Sequence, residues 1–335
     1  MTPAVLIVRP EVADEPLVRA ARAAMPAAEA RVTDADVRTV CPRIAPWRIL
    51  VLDRFKGDLV KPLAPAECSL PGRAEAYLAC GVNCPGRCRY CFLRTCATVP
   101  HPVFYANVEA MAAELDAALA AAPDLYVHLG HILDPLAYPF LSPLIGAFAA
   151  VLARHARATI ELRTKWTAID MLPAPPPPNL RVALSLAPAR IARRYEPGTP
   201  SVKARLRALA LLAERGYRAG VRLDPVLLFD GWEDDYAELC ADILAALRAA
   251  RDADIVLGTL RGPPDLISMI RAEDPGEVLR RGEFVRTHGG KLGYPRPLRR
   301  KALRFLAERL GTRFPVRVCG EPDDAAADTD GGARR

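Results

Sequence analysis

The chain of 335 residues has no apolar run of the roughly 18 to 20 residues that a membrane-spanning helix needs. The longest candidate, Phe140 to Ala153, falls short and contains Ser142, Pro143 and Gly146. The start does not read as a secretory leader either. Its apolar stretch, Ala4 to Val8, is short, and Glu11, Asp14 and Glu15 follow at once. No internal repeat is visible. Lysine is scarce, at 6 of 46 basic residues. The net charge of +7 is therefore carried by arginine, and a GC-rich coding bias accounts for it as well as a polyanionic partner does. An even cysteine count, the mark of a closed disulfide framework, is also missing: there are nine. A cytoplasmic chain is expected, with its cysteines read as thiols or metal ligands before disulfides.

What is present describes a globular protein. Hydrophobic residues make up 51% and charged residues 25%, enough for a large core and incompatible with disorder of the whole chain. The length fits two ordinary domains or one α/β barrel. Residues 1–72 offer one clear strand, Trp47 to Asp53, and read as an N-terminal extension. From Glu75 the pattern alternates. Strands are expected over 75–80, 125–130, 159–163, 180–186, 218–223 and 255–260. Helices are expected over 107–121, 144–155, 201–215, 234–249 and 298–310, with a closing strand over 316–319. Repeated β-then-α units over 73–321 imply a parallel sheet with right-handed crossovers, closing as an open or partial barrel. The polar tail, 322–335, is expected to be disordered.

The most informative segment is CGVNCPGRCRYCFLRTC, Cys80 to Cys96. Within it Cys84, Cys88 and Cys91 form C-x3-C-x2-C on a loop just after a strand, the end at which α/β barrels place their chemistry. Thiolates suit zinc or iron–sulfur centres. Three ligands on a four-iron cluster leave one iron open to chelate the amino and carboxylate groups of S-adenosylmethionine. An electron from the cluster then cleaves the sulfonium to give a carbon radical. The alternative is a closed zinc or cluster site with Cys80 or Cys96 as fourth ligand and no enzymatic role.

C-x3-C-x-aromatic-C, with Tyr90 at the aromatic position, resembles the radical SAM signature. CPGRCRYCFLRT is similar to the cluster loop of the spore photoproduct lyase family. So are ELRTK (161–165), ALSLAPARIARRYEPGTPSVKARLRAL (183–209), GYRAGVRLDPVLLFDGWEDDY (216–236), LGTLR (257–261) and KLGYPRPLRRKALRFLAERL (291–310), in order along the chain. The resemblance implies a partial (β/α)6 TIM-like barrel holding one [4Fe-4S] cluster and one S-adenosylmethionine. It implies a 5′-deoxyadenosyl radical that opens a thymine dimer in DNA, and an electron donor such as flavodoxin or ferredoxin. By position, Cys84, Cys88 and Cys91 are the expected cluster ligands. Tyr90 is expected to line the adenine pocket, and Lys165 and Ser185 to make polar contacts to S-adenosylmethionine.

The departures are specific. Where the family places a hydrogen-donating cysteine three residues before an aspartate, here Asp134, this chain has His131. Imidazole is a poor hydrogen-atom donor. The family's serine before the aspartate is Leu133, and its second tyrosine after the third cluster cysteine is Phe92. These changes fit a relative with another radical termination or a non-DNA substrate. His131 is expected at the cofactor or substrate, whereas His128 lies on the strand itself. His101, His155 and His288 are expected at the surface. Cys80, Cys96 and Cys319 could approach the pocket but read better as small buried hydrophobes. Cys41, Cys68 and Cys240 read as structural. Asp224 either lines the pocket or stops a strand. Glu196 and Arg205 read as a loop-holding pair or a cofactor contact. Arg286, Lys291, Arg296, Arg299 and Arg300 around Gly293 and Tyr294 read either as a nucleic-acid patch, with Tyr294 as a stacking face, or as a solvated basic helix face.

Overall fold

The computed structural model describes residues 3–63, 70, 72–273, 284–287 and 290–320. Cys68, His288 and the tail from 322 lie outside these residues. The chain forms two compact units, each built from several segments. The first comprises Met1–Pro62, Gly72–Arg87 and Cys96–Arg181; the second comprises Leu63–Pro71, Cys88–Thr95 and Val182–Arg335.

In the first unit the N-terminal stretch is richer than its sequence suggested. Strands β1 (Val5–Val8), β2 (Glu29–Val32) and β3 (Ile49–Asp53) alternate with helices α1 (Pro16–Ala24) and α2 (Val37–Val40). Strand β1 is a short run of β-branched and aliphatic residues buried on both faces, as a central parallel strand requires. It pairs in parallel with β2 and β3. Strand β3 pairs in parallel with β7 (Val103–Tyr105), and β7 pairs antiparallel with β6 (Gly81–Val82). The N-terminal stretch thus shares a sheet with the strands that flank the cysteine loop.

A second set of strands in this unit runs β4 (Val60–Pro62), β5 (Glu75–Leu78), β8 (Tyr126–Leu129) and β9 (Thr159–Thr164). The pair β4–β5 is antiparallel, and β5–β8 and β8–β9 are parallel. Helices α4 (Val108–Ala121) and α5 (Ser142–Leu152) follow β7 and β8 and bury Met111, Leu115, Leu119, Phe148 and Leu152. Short helix α3 (Leu93–Cys96) ends the cysteine loop.

The second unit carries β10 (Leu180–Ser185), β11 (Arg218–Val226), β12 (Ala253–Thr259) and β16 (Val316–Val318) in that order. The pairs β11–β12 and β12–β16 are parallel. Between them lie α6 (Ala189–Tyr195), α7 (Val202–Glu214), α8 (Trp232–Ala246), α9 (Pro264–Glu273) and α10 (Arg296–Leu310). Ser201 caps α7 by accepting the Ala204 N–H at 3.3 Å, and Glu233, Asp234 and Asp235 load the first turn of α8 with the charge its dipole favours. Three two-residue strands, β13 (Arg261–Gly262), β14 (Val285–Arg286) and β15 (Leu292–Gly293), make a small antiparallel sheet. Every strand and helix expected from Glu75 onward is present, with ends shifted by a few residues. Asp224 does not stop its strand: β11 runs through it at a register shift between Leu223 and Val226.

Candidate active site

In the first unit the cysteine loop begins under tight packing. A Cβ on Gly81 would stand 2.4 Å from the Val103 carbonyl oxygen and 3.1 Å from Leu133 Cδ2. Leu133 is buried beneath the loop, so the residue in place of the family's serine fills core. The Asn83 N–H donates to the Ile132 carbonyl at 2.9 Å, tying the loop to the segment after β8. Cys84 is half-buried, and its Sγ accepts the Gly86 N–H at 3.3 Å. The Arg87 guanidinium lies over the Trp47 ring at 4.7 Å, which anchors the loop to the N-terminal stretch.

The segment after β8 turns at Gly130, whose φ of +108° and 2.3 Å Cβ approach to the Arg163 carbonyl oxygen admit only glycine. His131 follows, half-buried, with its ring 4.9 Å from that of Tyr77. Asp134 is buried and accepts from Thr164 Oγ1 (2.6 Å), the Lys165 N–H (2.8 Å) and the Leu136 N–H (3.1 Å). Burial raises its pKa against these donors, which pull it down. His131, Asp134 and Lys165 are thus brought to one end of β8 and β9.

Deeper on the same strands lies a cluster that sequence reasoning missed. Glu75 on β5, Tyr126 and His128 on β8, and Glu161 and Arg163 on β9 meet side by side. His128 Nε2 stands 2.7 Å from Glu75 Oε2, and Tyr126 donates to Glu161 Oε2 at 2.8 Å. Arg163 Nε donates to Glu161 Oε1 at 3.3 Å, and its Nη2 bonds His128 Nδ1. A guanidinium can only donate, so His128 Nδ1 is the acceptor and Nε2 carries the proton toward Glu75. The available signal was polar residues two apart on three strands, which share a face once the strands pair in register.

In the second unit Cys88 and Cys91 are half-buried on a tight turn. The Cys91 N–H donates to the Cys88 carbonyl at 3.1 Å, and the Arg89 N–H to the Tyr195 carbonyl at 2.8 Å. Arg94 donates to the Arg89 carbonyl at 2.7 Å and pairs with Glu273. The Tyr90 hydroxyl donates to Glu196 Oε1, and Glu196 Oε2 lies 2.6 Å from Arg205 Nη1, both charged side chains being buried. Arg205 also donates to the Ser185 carbonyl (3.0 Å), the Pro200 carbonyl (3.0 Å) and Thr199 Oγ1 (2.6 Å). Burial first, then the Glu196 charge, holds the Tyr90 phenol protonated, well above its ordinary range. Two residues singled out from the sequence, Tyr90 and Ser185, are therefore joined through the pair Glu196–Arg205. That is the loop-holding role expected of the pair.

Other expectations divide. Cys41 and Cys240 are buried, as is Cys80, whose thiol burial pushes up to about 12. Cys96 is exposed, not buried, and Phe92 is exposed as well. Cys319 is buried and accepts from Arg261 Nη2 at 3.3 Å; Arg261 also pairs with Asp224 at 3.1 Å. His155 is half-buried against Asp116 at 2.7 Å. His101 is buried rather than at the surface, and burial lowers its pKa. Tyr294 offers no stacking face. It is buried, its hydroxyl accepts the Leu228 N–H at 3.0 Å, and Arg299 is buried against its carbonyl. Among the described residues no group of three His, Cys, Asp or Glu is gathered as a single ion would need. No described helix is long and apolar enough to cross a membrane.

The family model described as "Spore photoproduct lyase" matches residues 62–261, well over half of the chain. A spore photoproduct lyase of Geobacillus sp. (strain Y412MC61) is 27% identical over 195 residues, 54% of each chain. One of Bacillus subtilis (strain 168) is 26% identical over 190 residues, 52% of each. The chain spans about half the length of the curated relatives it matches. A solved spore photoproduct lyase complexed with dinucleoside spore photoproduct matches with a TM-score of 0.78 at 18% identity, covering 95% of this chain and 98% of that one. A mutant with bound AdoMet and dinucleoside spore photoproduct matches with the same TM-score, 0.78, at 19% identity. This likeness establishes the fold, a partial α/β barrel.

Proposed function

Because the chain belongs to the spore photoproduct lyase family, we propose that it is a radical SAM lyase acting on a thymine-dimer lesion in DNA. The observation that carries the reading is the buried link from Tyr90, inside the cysteine motif, through Glu196 and Arg205 to Ser185. It holds a motif aromatic and a strand end in one fixed arrangement, as a bound cofactor requires.

The three cysteines fit an iron–sulfur cluster by donor chemistry. They are soft sulfur donors, half-buried on one loop, and the Cys84 sulfur already accepts a backbone N–H. Cys84, Cys88 and Cys91 are the proposed ligands. When bound, the cluster and S-adenosylmethionine supply the electron and the carbon radical. The chain's own residues orient and enclose. Glu196 occupies the Tyr90 hydroxyl, so Tyr90 offers its ring face to the adenine. Asp134 fixes the Lys165 main chain, and Arg205 fixes that of Ser185, which sets where both side chains begin. His131 is assigned a contact to substrate and not the return of a hydrogen atom.

Three features favour a second reading within the same chemistry: His131 for a thiol, Leu133 committed to the core, and Phe92 at the surface. They support a different radical termination or a non-DNA substrate. A small reducing protein such as flavodoxin or ferredoxin is the proposed electron donor, and the cytoplasm is the compartment this chemistry needs.

The test is anaerobic reconstitution with iron and sulfide, reduction, and addition of S-adenosylmethionine with and without ultraviolet-irradiated DNA. Formation of 5′-deoxyadenosine with loss of dimers is the expected result. Cofactor cleavage without dimer loss moves the assignment to the second reading. Cys80→Ala and Cys96→Ala should both keep the cluster; loss in either points instead to a closed four-cysteine site.

A further inference from the structure

Helix α10 breaks electrostatic rules that its neighbour α8 keeps. It carries Arg296, Arg299, Arg300, Lys301, Arg304 and Arg309 against one acid, Glu308. A helix N-terminus favours negative charge, and α8 starts with Glu233, Asp234 and Asp235; the first turn of α10 holds Arg296 and no acid. Arg296, Arg300 and Arg304 then follow at i, i+4 steps, a spacing at which like charges destabilise a helix. A local rule broken on an outer face points to a use outside the helix. Arg299 is buried, but Arg296, Lys301 and Arg304 are exposed and Arg300 is half-buried. These four line a groove of about 580 Å³, with Phe305 and Glu308 in its wall. Glu233 pairs with Lys301 at 2.7 Å, whereas Arg304 has no ion-pair partner among the described residues. The stripe runs for about 12 Å, so it suits a ligand with several negative charges in a row.

The stripe starts at the end of the second unit where Ser185 stands. Tyr294, two residues before α10, accepts the Leu228 N–H at 3.0 Å, and Leu228 lies two residues beyond the end of β11. Arg299 Nη1 donates to the Tyr294 carbonyl at 2.6 Å and ties the first turn of the helix to the same point. Strand β10 neighbours β11 and ends at Ser185, the proposed S-adenosylmethionine contact. The Leu186 N–H just beyond it donates to the Arg222 carbonyl of β11 at 3.0 Å.

We propose that the outward stripe of α10, Arg296, Arg300, Lys301 and Arg304, grips the phosphate backbone of DNA beside the lesion. The inference deepens the lyase reading and rests on it for the nature of the polyanion. Phosphate contacts fix the position and orientation of a duplex without reading its sequence, which suits an enzyme whose target is damage.

The test uses the full-length, cluster-free protein and a fluorescein-labelled, undamaged DNA duplex, followed by anisotropy across a salt series. For the wild type, log affinity should fall linearly with log salt. Arg304→Ala should lower that slope by about 0.9, and Arg300→Ala with Arg304→Ala by about 1.8, with weaker binding to every duplex sequence tried. Lys203→Ala with Arg207→Ala removes the same charge from the exposed side of α7 and should leave the slope unchanged. Circular dichroism confirms that each variant is folded. No binding by the wild type, an unchanged slope in the α10 variants, or an equal loss in the α7 variant overturns the proposal. So does DNA binding that survives while binding of a reducing protein such as flavodoxin weakens; the stripe is then a protein-docking face. Repair is scored separately with the reconstituted enzyme. Dimer loss with unchanged slopes keeps the lyase reading and overturns the stripe. Binding that depends on α10, without dimer loss, supports the stripe as a backbone contact and overturns the lyase reading.

Discussion

Two buried charged networks among the described residues are built on opposite principles. In the second unit, Tyr90, Glu196 and Arg205 form a chain of one carboxylate and one guanidinium. It runs between loops and helix ends and finishes on main-chain carbonyls. In the first unit, Glu75, His128, Glu161 and Arg163 form a cluster of two carboxylates and one guanidinium around a histidine. All of them stand on adjacent strands. Loop residues need a network to hold their conformation, so removing one member should disturb the backbone. Strand residues are placed by the ladder, so removing one should disturb mainly the charge balance. The loop network is a positioning device, whereas the strand cluster is held in place by the sheet.

The largest effect is expected from Glu196→Gln. Arg205 would be left as a buried charge facing an amide, at a cost of about 3–5 kcal/mol in urea unfolding. The Cys88–Cys91 turn should loosen with it, visible as faster amide exchange at Arg89. Adding Arg205→Met should recover part of the loss, because the double variant buries no unpaired charge. If the two substitutions are additive, the network does not act as a unit and the contrast drawn above fails.

His128→Leu should cost less, about 1–3 kcal/mol, since volume is roughly kept and the loss is that of hydrogen bonds to Glu75 and Arg163. Amide exchange along β8 should stay slow. Imidazole nitrogen NMR on the wild type should find the Nε2–H tautomer, as the guanidinium on Nδ1 demands.

A third comparison separates cysteines. Cys80 is fully buried with its thiol pushed up to about 12, so alkylation of the native, cluster-free protein should spare it. Exposed Cys96 should react first. Early labelling of Cys80 would show that the root of the loop opens on the reaction timescale.

These contrasts also explain what the sequence made legible. The β-then-α rhythm from Glu75 onward was readable because helices and parallel strands carry their own periodicity and caps. Ser201 before α7 is an example. Cys84, Cys88, Cys91 and Tyr90 were readable because a loop motif is contiguous. The pairing of Glu196 with Arg205 was within reach because the two are nine residues apart. Glu75, His128 and Glu161 were not, because they lie on three strands and only the register of β5, β8 and β9 brings them together. The N-terminal strands were missed for a related reason. Val5–Val8 is too short to show a period, and its partners are tens of residues away.

Asp134 gives the smallest effect and the finest discrimination, because burial and hydrogen bonding act on it in opposite directions. Three donors stabilise its charge, yet burial wins and the pKa is raised. A carboxyl with a raised folded-state pKa binds its proton more tightly folded than unfolded. Its contribution to stability is therefore greatest below the unfolded value of about 3.9 and declines as pH rises through the folded pKa, after which it is constant. Asp134→Asn has no such slope. It keeps one acceptor oxygen for Thr164 or Lys165 but turns an amide N–H toward a remaining donor. Urea midpoints of the two proteins, measured as a difference across the acid range, should thus favour the wild type most at low pH and less toward neutrality. If the difference instead grows with pH, the donors from Thr164, Lys165 and Leu136 outweigh burial. The carboxylate that positions Lys165 would then be a net electrostatic asset, like the loop network around Glu196, rather than a charge retained at a cost for the sake of placement.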